Sequence, residues 1–124
     1  DPHAFASAFP VPSVSLDHPE FSTDMWRGAT WVNFNYLIAH GLRERGCTKE
    51  AHDLVQTTLA FVRKYYEQYG VIFEFFDSVD QRTPPKCDRK GPTRPPYDIH
   101  RKYDSIRDYH WTAALCLAMM YEQL

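Results

Sequence analysis

The stretch Met25–Leu42, MWRGATWVNFNYLIAHGL, places Trp-Arg-Gly directly before a run without Asp, Glu, Lys or Arg, which ends at Arg43. We predict a first helix over residues 29–45, followed by Gly46, a residue suited to the left-handed conformation that often ends a helix. A helix without charge on any side must be buried on all sides. The stretch therefore predicts an inner helix whose entrance is an arginine between a tryptophan and a glycine.

Two further helices are predicted downstream, and their surfaces differ. Thr48 can cap an amphipathic helix that runs to about Tyr69 and ends at Gly70. The last helix, over residues 109–124, is again apolar on every face. The order buried, amphipathic, buried is typical of inner and outer helices in a double-layered helical barrel. We therefore predict an all-α segment that belongs to a longer chain, because three helices alone cannot cover two that are apolar all round.

Composition excludes several classes of protein. Of 124 residues, 44% are hydrophobic and 15% aromatic, which supports a packed core in one modest domain or a part of one. The net charge of -2 gives no electrostatic footprint for nucleic acid, and no apolar run approaches the roughly 20 residues that span a bilayer. The first residues show neither an initiator methionine nor a signal-peptide pattern, so we expect a cut or processed start and assign no compartment.

No metal and no cofactor is predicted. The six histidines and the acidic residues show no metal-ligand spacing. Cys47, Cys87 and Cys116 are odd in number and widely spaced, which fits neither a disulfide framework nor a zinc site. We expect buried or idle thiols.

Three distant segments should meet at one end of the helices. A short turn makes the first two helices antiparallel, so residues 26–28 should lie beside VIFEFFD, residues 71–77. The Pro-rich loop over residues 78–108 begins there, and residues 109–111 should return there. We call residues 26–28, 71–77 and 109–111 the rim. Indole rings, one arginine and one carboxylate at the rim are the composition of a sugar-binding pocket.

The same three segments resemble glycoside hydrolase family 63, which includes mannosyl-oligosaccharide glucosidases and mannosylglycerate hydrolases. MWRGATWVNFNYLIAHGL is similar to that family's Trp-Arg-Gly-x-x-Trp-x-x-x-Asn-Tyr-Leu segment, FEFFD to its Glu-Tyr-Tyr-Asp segment, and HWTAAL to its closing Trp-Ser/Thr-x-x-Leu segment. Trehalases of family 37 have a more distant version of this layout. The resemblance covers about residues 9–124. It implies the C-terminal hairpins of an (α/α)6 barrel, in the order inner, outer, inner, from an enzyme that hydrolyses α-glycosidic bonds with inversion.

The resemblance also divides the chain. The expected parts are a rim loop (1–28), a helical hairpin (29–70), a catalytic-base segment with an insertion loop (71–108) and an inner helix (109–124). We expect the insertion loop to be mobile or folded as a lid. The expected partners are an oligosaccharide or small glycoside as substrate and the N-terminal helices of the parent domain. The alternatives are a trehalase-like enzyme and a non-catalytic helical interaction module.

Glu74 is the residue implied as general base, the carboxylate that deprotonates water in an inverting reaction. From the residues alone, an exposed glutamate at a strand edge is the alternative. Asp77 is expected to orient the loop or the base. The general acid of the family lies on an earlier hairpin, and neither Asp17 nor Asp24 is a candidate for it, so this chain is expected to be catalytically incomplete.

Substrate contacts are expected from six residues at the rim and in the first helix: Trp26, Arg27, Gly28, Trp31, Asn35 and Trp111. Three of them have structural alternatives. Arg27 can pair with a carboxylate such as Asp24 or Asp77. Asn35 can satisfy a neighbouring backbone group, and Trp111 can be a core tryptophan at a helix start.

Overall fold

The computed structural model describes residues 1, 3–22, 24–89 and 105–122. Within them lie three α-helices: α1 (Val32–Glu44), α2 (Thr48–Tyr69) and α3 (His110–Tyr121). A 3-10 turn, Pro84–Lys86, lies between α2 and the undescribed residues 90–104. None of these helices is both long and apolar enough to cross a membrane.

The first two helices form the predicted hairpin. Gly46 in the link between them has φ 79°, and its amide donates to the carbonyl of Arg43 over 2.9 Å. Gly70 ends α2 with φ 71°. The predicted cap was wrong by one position, because Thr48 is the first helical residue and Cys47 precedes it without a side-chain hydrogen bond.

The start of α1 also differs from the prediction. The helix begins at Val32, three residues later than expected, and Trp31 before it is extended with φ -120° and ψ 126°. The reason lies in Thr30, whose backbone pairs with Phe76 and also with Pro12 in isolated β-bridges. These pairings need an extended backbone, which a helix does not provide.

A third bridge joins Phe73 to Arg107 just before α3. The amide of Tyr109 donates to the carbonyl of Ile72 over 3.0 Å. The three segments of the predicted rim are therefore brought together by main-chain hydrogen bonds.

The core lies between the hairpin and the N-terminal loop. Phe9 is fully buried, stacks on Phe61 of α2 at 4.5 Å between ring centroids, and packs against Phe76 at 5.3 Å. The N-terminal loop therefore contributes a central core ring rather than only covering the surface.

The inner helices are only partly covered within this chain. Six large hydrophobic side chains stay exposed on them: Phe34 and Leu37 on α1, and Trp111, Leu117, Met120 and Tyr121 on α3. This outcome agrees with the expectation that a three-helix piece cannot cover both.

The predicted loop over residues 78–108 is described only in part. Residues 78–89 contain turns and the 3-10 turn. Residues 90–104 lie outside the described part of the chain. The expected mobile or lid-like insertion falls mostly on these residues.

Candidate active site

Glu74 lies in a stretch, residues 73–78, in which every residue is buried. Phe73, Phe75 and Phe76 are fully buried, and Glu74 itself is 3% exposed. Buried and exposed residues do not alternate along this stretch, as they would in an exposed strand at the edge of a sheet. The carboxylate is therefore held inside the protein, where the alternative of an exposed glutamate does not apply.

Two groups from the described residues contact the carboxylate of Glu74. Its Oε1 accepts from Nη2 of Arg89 over 3.1 Å, and its Oε2 lies 3.4 Å from the amide nitrogen of Ile106. The hydroxyl of Thr112 in the first turn of α3 points to the carbonyl of Glu74 at 3.4 Å. The carboxylate therefore has one strong charged partner and one long contact to a backbone amide.

The residues before α3 hold this segment in place. The hydroxyl of Ser105 accepts from the amide of Phe75 over 3.0 Å and donates to the Phe75 carbonyl over 2.8 Å. The amide of Glu74 donates to the carbonyl of Ile106 over 2.9 Å. Burial, and next the nearby Glu74 carboxylate, raise the pKa of Tyr109, so this phenol also lies near the site.

An aromatic row leads from Phe75 to the surface. Trp31 lies 5.3 Å from Phe75 between ring centroids, and Trp26 stacks flat on Trp31 at 3.8 Å with 4° between the planes. The indole nitrogen of Trp31 donates to the carbonyl of Met25 over 2.8 Å. Trp31 is 3% exposed and Trp26 is 42% exposed. Only the outer tryptophan therefore offers surface to a ligand, and Trp31 supports it from beneath.

Arg27 adopts the paired arrangement that the sequence left open. Its Nη2 lies 3.4 Å from Oδ2 of Asp24, while most of the arginine side chain stays exposed. Asp24 is buried, and burial, followed by repulsion from Asp88, raises its pKa, which Arg27 opposes. Arg27 lines an open cleft together with Asp24, Arg82 and Asp88.

Gly28 has a structural reason to be glycine. Its φ is 149°, and a Cβ there would lie 2.1 Å from the carbonyl oxygen of Ser22. Its amide is already engaged within the chain, because it donates to the hydroxyl of Ser13 over 3.0 Å. The close approach of two backbone segments, rather than a sugar, explains this position.

Asn35 has no group left for a sugar. The side chain is fully buried, and its Oδ1 accepts from the amide of Val11 over 3.0 Å. Its Nδ2 donates to the carbonyl of Pro10 over 2.5 Å and to the hydroxyl of Thr58 over 2.9 Å. The backbone-satisfying alternative describes Asn35, and the expectation of substrate contact is corrected.

Trp111 is half exposed at the start of α3. The alternative of a core tryptophan therefore does not describe it within this chain. Its neighbour Thr112 contacts the Glu74 backbone, so Trp111 starts from the same rim.

Asp77 orients the loop, as predicted. Its Oδ1 accepts from the amide of Val79 over 3.1 Å, and its Oδ2 accepts from the amides of Gln81 and Arg82 over 2.9 and 2.8 Å. Because all these acceptors serve backbone amides, Asp77 fixes the turn that follows the Glu74 segment.

Arg89 and Ser105 were missed from the sequence. Arg89 follows a Pro-rich stretch and Ser105 precedes α3, and neither lies in a periodic pattern or a motif. No sequence signal identifies them, since both reach the site only through the path of the intervening chain. Across the part of the chain that the structure describes, no three His, Cys, Asp or Glu residues form a group that could hold a metal ion.

Comparison with known proteins places the chain in a family. The model of the mannosylglycerate hydrolase MGH1-like glycoside hydrolase domain matches residues 1–112. The mannosylglycerate hydrolase of Rubrobacter radiotolerans is 36% identical over 64 residues, 48% of this chain and 14% of the relative. That of Thermus thermophilus is 35% identical over 63 residues, 46% of this chain and 15% of the relative. The matches thus span about a seventh of the curated relatives.

Solved structures show the same fold. An uncharacterized conserved protein from Thermus thermophilus aligns with a TM-score of 0.65 at 24% identity, over 92% of this chain and 23% of that one. A GH63 mannosylglycerate hydrolase from the same organism, in complex with glucose, aligns with a TM-score of 0.57 at 22% identity, over 94% and 23%. The predicted all-α fold, from C-terminal hairpins of a helical barrel, is confirmed. With its family model matched over most of its length, the chain belongs to the MGH1-like glycoside hydrolase domain family.

Proposed function

We propose that these residues are the C-terminal part of the catalytic domain of an inverting α-glycosidase, with Glu74 as the general base. The observation that carries the proposal is the buried carboxylate of Glu74 beside Phe75, the inner ring of an aromatic row that ends at exposed Trp26. A buried carboxylate can accept a proton from water, and an exposed indole face can stack on a pyranose ring. A carboxylate that can accept the proton and an aromatic face that can stack on the sugar, two of the features that a glycosidase site needs, are thus neighbours in this chain.

The proposed reaction uses one water and two carboxyl groups. The Glu74 carboxylate takes a proton from the water while the water oxygen bonds to the anomeric carbon. The bond from that carbon to the leaving oxygen breaks, and the leaving oxygen takes a proton from a carboxylic acid. Inversion requires the two carboxyl groups to be roughly 6.5–9.5 Å apart, which leaves room for the water. We expect the acid outside these 124 residues, on a hairpin of the parent domain.

The proposed substrates carry an α-glucosidic or α-mannosidic bond. Support comes from two curated relatives, both called mannosylglycerate hydrolases, and from a solved neighbour that holds glucose. The remaining helices of the parent domain are the proposed partners of the exposed apolar faces on α1 and α3. A substrate panel therefore contains mannosylglycerate, α-glucosides, α-mannosides and trehalose, the last to test the trehalase-like alternative.

The decisive variant is Glu74→Gln in the complete protein that carries these residues. Glutamine keeps the volume and hydrogen bonding of glutamate but cannot accept a proton from water at neutral pH. Since a general base contributes about 10²–10⁴-fold, kcat should fall at least 10²-fold while KM changes little. Glu67→Gln is the control, because Glu67 is exposed on α2 and pairs only with Arg63 among the described residues. Near wild-type turnover by Glu74→Gln would reject the assignment.

Two further measurements test the finer claims. Proton NMR of the first product formed should show the anomer opposite to that of the substrate, and a retained anomer would contradict inversion. Trp26→Ala should raise KM because it removes the stacking face, whereas Trp26→Tyr should preserve most of the affinity. Arg27→Lys should weaken ground-state and transition-state binding together, since lysine lacks the planar fork of arginine.

A further inference from the structure

Arg89 is the charged partner of Glu74. The Nη2 to Oε1 distance is 3.1 Å, and the arginine side chain is 24% exposed while that of Glu74 is 4% exposed. An arginine keeps its proton at every pH at which proteins are studied, so this partner is permanently cationic.

The segment before Arg89 is ordered by its own contacts. Asp77 collects three backbone amides at its start, and Cys87 is buried against the 3-10 turn with its Sγ 3.6 Å from the carbonyl of Thr83. Arg82 then pairs with Asp88 over 3.1 Å, which leaves Arg89 as the residue that turns inward to Glu74. The guanidinium therefore reaches the carboxylate from a fixed backbone.

The two oxygens of the Glu74 carboxylate have different partners. Arg89 binds Oε1, whereas among the described residues Oε2 has only the long 3.4 Å contact from the amide of Ile106. A charge-assisted hydrogen bond to one oxygen fixes the direction of a carboxylate and leaves the other oxygen to accept a proton from water. We propose that Arg89 is a positioning residue that holds the Glu74 carboxylate turned so that Oε2 faces the water.

This inference rests on the proposed role of Glu74. It adds that the insertion segment takes part in hydrolysis through Arg89, a residue that does not touch the substrate. Removal of Arg89 should therefore lower kcat while KM stays near its wild-type value.

The test compares kcat and KM of Arg89→Gln with those of wild type in the complete protein. The value of kcat should fall about ten- to hundred-fold with KM near wild type, because the carboxylate is no longer fixed in direction. Arg82→Gln is the matched control, since it removes the same charge from the same segment without contacting Glu74.

The outcomes separate this inference from the proposed function. An inactive Glu74→Gln together with an unchanged kcat in Arg89→Gln rejects only the role of Arg89. An active Glu74→Gln rejects the proposed function itself. If Arg89→Gln gives no soluble protein, Arg89→Lys decides: a positioning role requires a lowered kcat with KM near wild type, since lysine lacks the planar fork of arginine, and an unchanged kcat rejects it.

Discussion

Thr30 and Phe76 exchange both of their backbone hydrogen bonds, over 2.9 Å from the amide of Thr30 and 3.1 Å from the amide of Phe76. This pair joins the entrance of α1 to the segment that carries Glu74. Trp31 and Phe75, the next residues on either side, stack at 5.3 Å. The aromatic row and the buried carboxylate are therefore fixed to each other by the main chain.

Gly28→Ala should strongly destabilise the chain. The added Cβ would meet the Ser22 carbonyl oxygen, and the φ of 149° is strained for any residue with a side chain. We expect the free energy of unfolding in urea to fall by about 3 kcal/mol or more. Gly41→Ala is the control: Gly41 lies within α1 with open space around it, so alanine should stabilise the chain by about 0.5–1 kcal/mol. Similar effects of both substitutions would contradict the close approach at Gly28.

Asn35→Ala should lower the free energy of unfolding of the chain. It leaves the Val11 amide and the Pro10 carbonyl without their buried partner, at about 1–3 kcal/mol for each unsatisfied group. The matched control is Asn33→Ala on the same helix, for which we expect a change within about 0.5 kcal/mol, as at most sites away from such networks. A complete enzyme with Asn35→Ala that kept its melting temperature but lost substrate affinity would restore the sugar-binding role.

The three thiols should differ in reactivity. Burial raises the pKa of Cys87 to about 12 and that of Cys116 to about 12, so both stay protonated at pH 8. Cys47 is partly exposed. Iodoacetamide at pH 8, followed by peptide mass spectrometry, should label Cys47 first and the other two only in denaturant. Early labelling of Cys87 would show that the turn around it opens.

Asp24→Asn should gain stability relative to wild type as pH rises. Burial raises the pKa of Asp24 in the folded chain above its unfolded value, so ionisation opposes folding. Below the unfolded value both states are protonated and the variant should match wild type. As pH rises through the folded pKa, wild type loses stability that the variant keeps. Urea unfolding between pH 4 and pH 7 measures the difference, with Glu20→Gln as an exposed control from the same cleft. A difference that shrinks with pH would show that the pairing with Arg27 outweighs burial.

The 124-residue chain alone should self-associate. Leu37 on α1 and Leu117 and Met120 on α3 are each more than half exposed, and contiguous apolar surface of this kind promotes association. Sedimentation velocity should show mass above the monomer that decreases in the double variant Leu117→Gln, Met120→Gln. Glu50→Gln, at an exposed position of α2 outside the groove that Leu117 and Met120 line, should leave the distribution unchanged. A monodisperse, cooperatively unfolding wild-type monomer would contradict the proposal that parent helices cover these faces.

Several features of the fold followed from local chemistry. Gly46 and Gly70 both have positive φ where the helices were predicted to end, because few other residues adopt that backbone without strain. The start of α1 was missed, since the extended backbone of Thr30 depends on pairing with Phe76, which lies far away in sequence. Helix propensity carries no information about such a partner.

Prediction of the candidate site from the sequence was limited in the same way, because contacts between residues far apart in the sequence were missed. The residues alone favoured an exposed glutamate at a strand edge, and the buried Glu74 agrees instead with the role that the resemblance implied. The pairing of Arg27 with Asp24 was one of two foreseen partners. The role of Asn35 depended on where Pro10 and Val11 run, and Arg89 reaches Glu74 only after a turn fixed by a buried carboxylate. Sequence spacing predicts neighbours along a helix, but it does not predict the path of an irregular segment.

The double hydrogen bond of Ser105 with Phe75 bears on how much the chain before Ser105 can vary in length. One hydroxyl serves both backbone groups of Phe75, so the chain returns to the same point beside Glu74 whatever precedes Ser105. The free energy needed to close a loop grows only slowly with its length. Arg89 and Ser105 therefore anchor the chain on both sides of residues 90–104. A change in the number of residues between these two anchors should cost little free energy and leave the Glu74 carboxylate in place.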